Sequence, residues 1–315
     1  MIEPGPAVSK ANEFLKSSTP EIKAGAILVL LAAGDLDALI EAGTTLRDMV
    51  HSSDSNMRKG AARAISAFKA GKLEKELRML LEDKDEDVCI SAIRAVGARR
   101  TLGLAGELVT KLGHGRVSRY ASRPLMEFGL PGAEALVGVI LHGGYTKSRA
   151  AIRTLTSIPS QKVENTIIEI VSTGDVVSRT TVAKESALRA RRQALGNALK
   201  QNAHRFVMDE FEYLQILRAA KKSQSLSEYV KVEIHAREKL AETRFLYWFA
   251  VCTQPSEVID IVPVILSTSE SQEILVRRGA AIELLDTIAP NKELKNALML
   301  FENNNSISTD TAIKK

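Results

Sequence analysis

The feature that most constrains this chain is a pattern that returns about every thirty residues. A long or apolar residue is followed four positions later by a small one, and four later again by an aliphatic one. The series reads Ile22-Ala26-Leu30, Met57-Ala61-Ile65, Val88-Ala92-Val96 and Val117-Ala121-Leu125. It continues less cleanly as Lys147-Ala151-Leu155 and Val177-Thr181-Glu185, then returns as Val276-Ala280-Leu284. Steps of four return to one face of a helix, so each triplet predicts a buried helical stripe.

Between the triplets lie second apolar segments, "LEKELRMLL", "LAGELVTKL", "GAEALVGVIL" and "VENTIIEIV", separated by breaks such as "EDKDED", "GHG" and "STGD". A helix pair that recurs at fixed spacing buries its apolar face only against its neighbours, which is the logic of an α-solenoid. Composition agrees: the 315 residues are 45% hydrophobic but only 4% aromatic, a mixture suited to helices packed closely through alanine. The reading is therefore all-α.

"VRRGAAIELL" (276–285) and "MRKGAARAI" (57–65) resemble the second helix of HEAT repeats, and the likeness covers about residues 19–185 and 256–300. The resemblance implies a right-handed, armadillo-like solenoid of helical hairpins whose second helices line the concave face. The family's arginine after the first apolar residue is present at Arg58 and Arg277; Cys89, Ser118, Ser148 and Ser178 occupy that place elsewhere. A narrower resemblance rests on Arg244, Phe245, the turn from Pro255 to Ile259 and "AAIELLD" (280–286). It is similar to the HEAT-containing region attached to bacterial nucleotide-transporter-like, major-facilitator-type membrane proteins. It implies a cytosolic regulatory or coupling role beside a membrane, whereas the membrane half itself has no counterpart here.

Four segments follow: repeats over 1–185 with 1–9 flexible, a long-helix insertion over 186–252, a repeat and cap over 253–302, and a disordered tail over 303–315. The insertion holds eight of the fourteen aromatic residues and so predicts a core of its own. Within it, Phe245, Trp248 and Phe249 share a helical face and read as core. Tyr247 points elsewhere, and Tyr247 and Trp248 are candidate docking aromatics.

Catalytic chemistry finds no support in the sequence. The five histidines lack metal-ligand spacing, Cys89 has no base near it in sequence, and no cofactor motif is present. "GVILHGGYTKS" (138–148) approximates a phosphate-binding loop, but Lys147 comes late and no strand precedes it. An inter-helix turn, with Gly143 and Gly144 at positive φ, is the expectation there. The two cysteines suit a reducing compartment, "MIEPGPAVSK" lacks the character of a secretory signal, and the run "AGAILVLLAAG" is too short to span a bilayer. The expectation is a cytoplasmic protein.

Charge carries the functional signal. The net charge is only +5, but basic residues recur at fixed places in the repeat. At about 100° per residue the buried stripe centres near 40°, while its sixth and second positions fall near 240° and 200°, opposite the core. The sixth holds Arg63, Arg94, Arg123 and Arg153; the second holds Lys59, Arg119, Arg149 and Arg179. Residues 57–69, 88–100, 116–126, 147–158 and 177–184 contain no Asp or Glu, although mixed charge would stabilise a solvated helix. These eight residues are the candidate binding set for an anionic partner: an acidic protein segment, a nucleotide or a lipid headgroup. Two alternatives stand beside this: nucleic-acid binding, given a resemblance in fold type and basic concavity to HEAT-like alkylpurine DNA glycosylases, and a purely structural adaptor.

Overall fold

The computed structural model describes residues 4–68, 72–142, 144–192 and 195–302. Among them the chain forms seventeen α-helices, one short 3-10 turn and no strand. It divides into two compact units, Met1–Ile158 and Pro159–Lys315.

The first unit contains α1 (Pro4–Phe14), α2 (Pro20–Ala33), α3 (Leu36–Val50), α4 (Ser55–Ala67), α5 (Glu74–Leu81), α6 (Glu86–Arg99), α7 (Ala105–Thr110), α8 (Gly115–Phe128), α9 (Leu130–His142) and α10 (Gly144–Thr156). The acidic breaks start several of these helices. Asp35, Asp54 and Asp85 each accept a backbone N–H of the following first turn, at 3.0, 2.9 and 2.8 Å. Each such cap stabilises its helix by about 1 kcal/mol.

Packing in this unit follows alternate helices. Helix α2 packs on α4, α4 on α6, α6 on α8 and α8 on α10; likewise α3 packs on α5, α5 on α7 and α7 on α9. The alanines of the sequence pattern explain the first series, because Ala61, Ala92, Ala121 and Ala151 are all fully buried where these helices meet. The aliphatic residues that follow them, Ile65, Val96, Leu125 and Leu155, are fully buried as well.

Of the ion pairs that cross from one helix pair to the next, Arg58–Asp83 is the one largely withdrawn from water among the described residues of this unit. Arg58 donates from Nε and a terminal nitrogen to both carboxylate oxygens of Asp83, at 2.6 and 2.9 Å, and also donates to the carbonyls of Ser52 and Ser53. The residues at Arg58's place in the other repeats bond locally instead. The Cys89 thiol donates to the Leu81 carbonyl, Ser148 donates to the Val139 carbonyl, and Ser118 accepts from the Gly113 N–H.

The second unit contains α11 (Gln161–Thr173), α12 (Val176–Ala190), α13 (Asn197–Lys221), α14 (Glu228–Cys252), α15 (Pro255–Ile265), α16 (Gln272–Ile288) and α17 (Lys292–Glu302). The two 25-residue helices α13 and α14 pack on one another; α11 packs on α13 and α12 on α14. Those contacts place α11 and α12 with the long helices, so the compact division falls at Ile158/Pro159 rather than near residue 185. An aromatic cluster centres this unit: Trp248 packs on Phe206 at 4.8 Å between ring centres, and Phe245 on Phe301 at 5.3 Å.

The buried stripe is displaced by one residue in two helices. Val276, Ala280 and Leu284 are exposed on α16, where Ala281, Ile282 and Leu285 are buried. On α12, Val177 is exposed and Thr181 half-buried while Ser178, Val182 and Ser186 are buried, although Glu185, the last of the expected triplet, is buried too. At the loop-like segment, α9 runs to His142 and α10 starts at Gly144, whose φ is +72°. The start expected to be flexible is helical from Pro4 in α1, and residues 1–3, Gly143 and the tail at 303–315 lie outside the described residues.

Candidate functional site

Seven of the eight basic positions fall on the even helices of the first unit: Lys59 and Arg63 on α4, Arg94 on α6, Arg119 and Arg123 on α8, Arg149 and Arg153 on α10. Arg63, Arg94, Arg119, Arg123 and Arg153 are exposed, whereas Lys59 and Arg149 are half-buried. Helical phase accounts for this: the residues opposite the alanine stripe of a helix packed on two sides are the ones left facing water.

Two clefts concentrate these residues. A cleft of about 500 Å³ lies along α6 and α8, bordered by Arg94, Arg119 and Arg123, with Gly97, Ala98 and Pro124 as apolar wall and Tyr120 and Glu127 completing it. Gly97 makes the close packing possible, since a Cβ there would stand 3.1 Å from Pro124 Cγ. The Arg94 guanidinium lies over the Tyr120 ring, 4.9 Å from its centre, a cation–π contact that holds the charge at the cleft edge. A second cleft of about 280 Å³ lies between the starts of α8 and α10. Arg149, Arg153 and the exposed ring of Tyr145 border it, with the turn Gly113–Gly115 opposite.

Carboxylates already meet some of the basic positions, Arg63 and Arg123 among them. Glu21 lies 3.0 Å from a terminal nitrogen of Arg63, and Glu127 lies 2.9 Å from Arg123 Nε. All four groups are well exposed, so each pair contributes only about 0.2–1 kcal/mol and exchanges readily for an incoming anion. The chemistry on display is guanidinium forks with apolar and aromatic surface between them, which suits carboxylate or phosphate.

The eighth position, Arg179, behaves differently. It belongs to the second unit, where it donates to Glu210 at 3.1 Å beside a fully buried Arg244. Arg244 grips the same carboxylate with Nε at 2.6 Å and a terminal nitrogen at 2.8 Å. Arg179 is thus largely committed to an internal network and is withdrawn from the docking set. It also borders a cavity of about 340 Å³ with Arg205, Phe206 and Asp209.

The two candidate docking aromatics are corrected as well. Trp248 is fully buried and Tyr247 is 8% exposed, because α14 is packed by α12, α13 and α15 and has no free face at that level. Burial, with the charge of Glu185 adding to it, pushes the Tyr247 phenol above its ordinary range. The aromatic residues that border the two basic clefts of the first unit, Tyr120 and Tyr145, stand next to or near arginines in the sequence, "SRYASR" and "GYTKSR". That adjacency is the signal that would have found them.

Neither thiol is poised as a nucleophile. Burial raises Cys89 above its ordinary value and pushes Cys252 up to about 12, so both are protonated at neutral pH. Among the described residues no group of three or more His, Cys, Asp or Glu is placed to hold a metal ion. Nor is any described helix long and apolar enough to cross a membrane.

No protein-family model matches the chain, and no curated protein matches it. Among solved structures, an engineered protein from a structural genomics consortium is 16% identical over 95% of this chain and 99% of its own, with a TM-score of 0.32. A superposition that loose assigns neither a fold family nor an activity.

Proposed function

We propose that the protein is a non-catalytic scaffold of HEAT-like helical hairpins, whose basic face on the even helices binds an anionic partner. The observation that carries this reading is the α6/α8 cleft, where Arg94, Arg119 and Arg123 converge around an apolar wall. Alternate-helix packing in the first unit supports the solenoid reading, and the recurrence of the cleft chemistry between α8 and α10 supports a face rather than a single point. The similarity to regions attached to transporter-like membrane proteins extends the proposal to a cytosolic regulatory domain working beside such a protein.

Retention on immobilised heparin, a generic polyanion, tests the core of it. The wild-type protein is expected to bind at low salt and elute as salt screens the face, since exposed charges interact over a Debye length of about 8 Å at physiological strength. The triple variant Arg94→Glu, Arg119→Glu, Arg149→Glu is expected to pass unretained with its helical circular dichroism unchanged. Equal retention of the folded variant and the wild type would refute the proposal.

A further inference from the structure

The sixth-position arginines form a ladder whose repeat length identifies the kind of chain that fits it. Arg63, Arg94 and Arg123 are each the ninth residue of α4, α6 and α8, and Arg153 is the tenth of α10. These helices pack in sequence on one another, and packed helices lie about 8–10 Å apart. The four arginines are therefore rungs at nearly one level, spaced by about 8–10 Å across the face. All four are exposed.

Resting on the proposed function, we infer that the partner is an extended acidic peptide segment carrying a carboxylate at every third residue. Polyproline-II geometry advances about 3.1 Å per residue with three residues per turn, so every third side chain returns to one face after about 9.3 Å. That distance falls within the rung spacing. A β-strand returns to one face after about 6.6 Å and drifts out of register by the second rung.

Two further observations favour carboxylates over the continuous charge of a nucleic-acid strand. Glu21 on Arg63 and Glu127 on Arg123 show rungs holding a carboxylate oxygen at 3.0 and 2.9 Å, the geometry that an incoming glutamate would take. Once displaced, those acids stay tethered beside the ladder, where they oppose a strand bearing a phosphate every few ångströms more than a peptide charged at intervals. The apolar wall of Gly97, Ala98 and Pro124 faces the space between rungs, where uncharged peptide residues would lie.

Fluorescence anisotropy on the full chain at low salt tests the inference with three labelled probes. They are a peptide of five Glu-Pro-Pro repeats, a peptide of the same composition with its five glutamates in one block, and a single-stranded oligothymidylate. The periodic peptide is expected to bind about tenfold tighter than the block peptide, the gain from two or three further exposed ion pairs. Arg94→Gln is expected to erase most of that preference while the protein stays folded by circular dichroism. Equal affinity for the two peptides overturns the spacing argument, and tighter binding of the oligothymidylate assigns the face to nucleic acid. Either result leaves the basic face standing, whereas failure of the wild-type protein to bind heparin would remove the proposed function itself.

Discussion

Arg58 and Asp83 join successive helix pairs through two parallel hydrogen bonds of 2.6 and 2.9 Å, both side chains being largely withdrawn from water. Arg58 also satisfies the Ser52 and Ser53 carbonyls in the turn between α3 and α4, so one guanidinium fixes that turn and its neighbour together. The pair raises the Arg58 pKa and is unmatched at the corresponding Cys89 and Ser118. Replacing Arg58 by Ala leaves a poorly solvated Asp83 without its partner and is expected to cost about 3 kcal/mol. Urea unfolding would measure this, and a loss below about 0.5 kcal/mol would show the pair to be ornamental.

The same pair makes stability depend on pH in a defined direction. Burial pushes the Asp83 carboxyl up, but the Arg58 hydrogen bond, the Asp85 N–H and the charges of Arg58 and Lys84 outweigh it and hold the group below its ordinary value. A depressed carboxylate contributes stability above its unfolded pKa of about 3.9 and loses it as pH falls through the lower folded pKa. The gap in melting temperature between wild type and Asp83→Asn should thus be constant from pH 5 to 8 and close below about pH 4. A gap unchanged down to about pH 2 would contradict this assignment.

What the sequence revealed, and what it hid, follows from how many faces a helix has covered. On α4, α6 and α8 one apolar stripe opposes one basic strip, so the phase was legible and the arginines were found on the water side. On α16 two adjacent phases are apolar, and the triplet Val276-Ala280-Leu284 cannot be told from Ala281-Ile282-Leu285 without knowing the neighbours. On α14 the phase rule left Tyr247 outside, but three helices enclose that level and no outside exists. Arg179 matched the basic pattern, yet its partner Glu210 lies 31 residues on, in a helix with a different rhythm. The larger cleft itself depends on Gly97 meeting Pro124, a contact between helices that no single-helix pattern encodes.

That contact is open to direct test. A Cβ on Gly97 would approach Pro124 Cγ to 3.1 Å, so Gly97→Val must force α6 away from α8 or distort the wall of the larger cleft. Overpacking of this kind costs about 1–3 kcal/mol. The expected result is a lower melting temperature together with weaker heparin retention, although no charge has changed. Gly25 has nothing within 4 Å of its would-be Cβ, so Gly25→Val serves as a control expected to leave heparin retention unaltered. Unaltered retention in a destabilised Gly97→Val protein would separate the packing of α6 on α8 from the binding face.

The second unit makes the opposite trade, hiding charge instead of showing it. Arg244 is 1% exposed and holds Glu210, itself 2% exposed, while its third nitrogen reaches the Thr180 hydroxyl at 3.3 Å. Breaking one side of a buried pair costs more than removing both, because the survivor keeps its desolvation without its partner. Arg244→Met alone is expected to destabilise by about 3–5 kcal/mol, and adding Glu210→Met should recover much of the loss. Trp248, the only tryptophan of the chain, packs on Phe206 one helical turn from Glu210 and reports the state of this core. Its emission should be blue-shifted and resistant to acrylamide in the wild type, quenchable in the single variant, and shielded again in the double. A double variant no more stable than the single would show that Arg179, left without Glu210, depends on the network as much as Arg244 does.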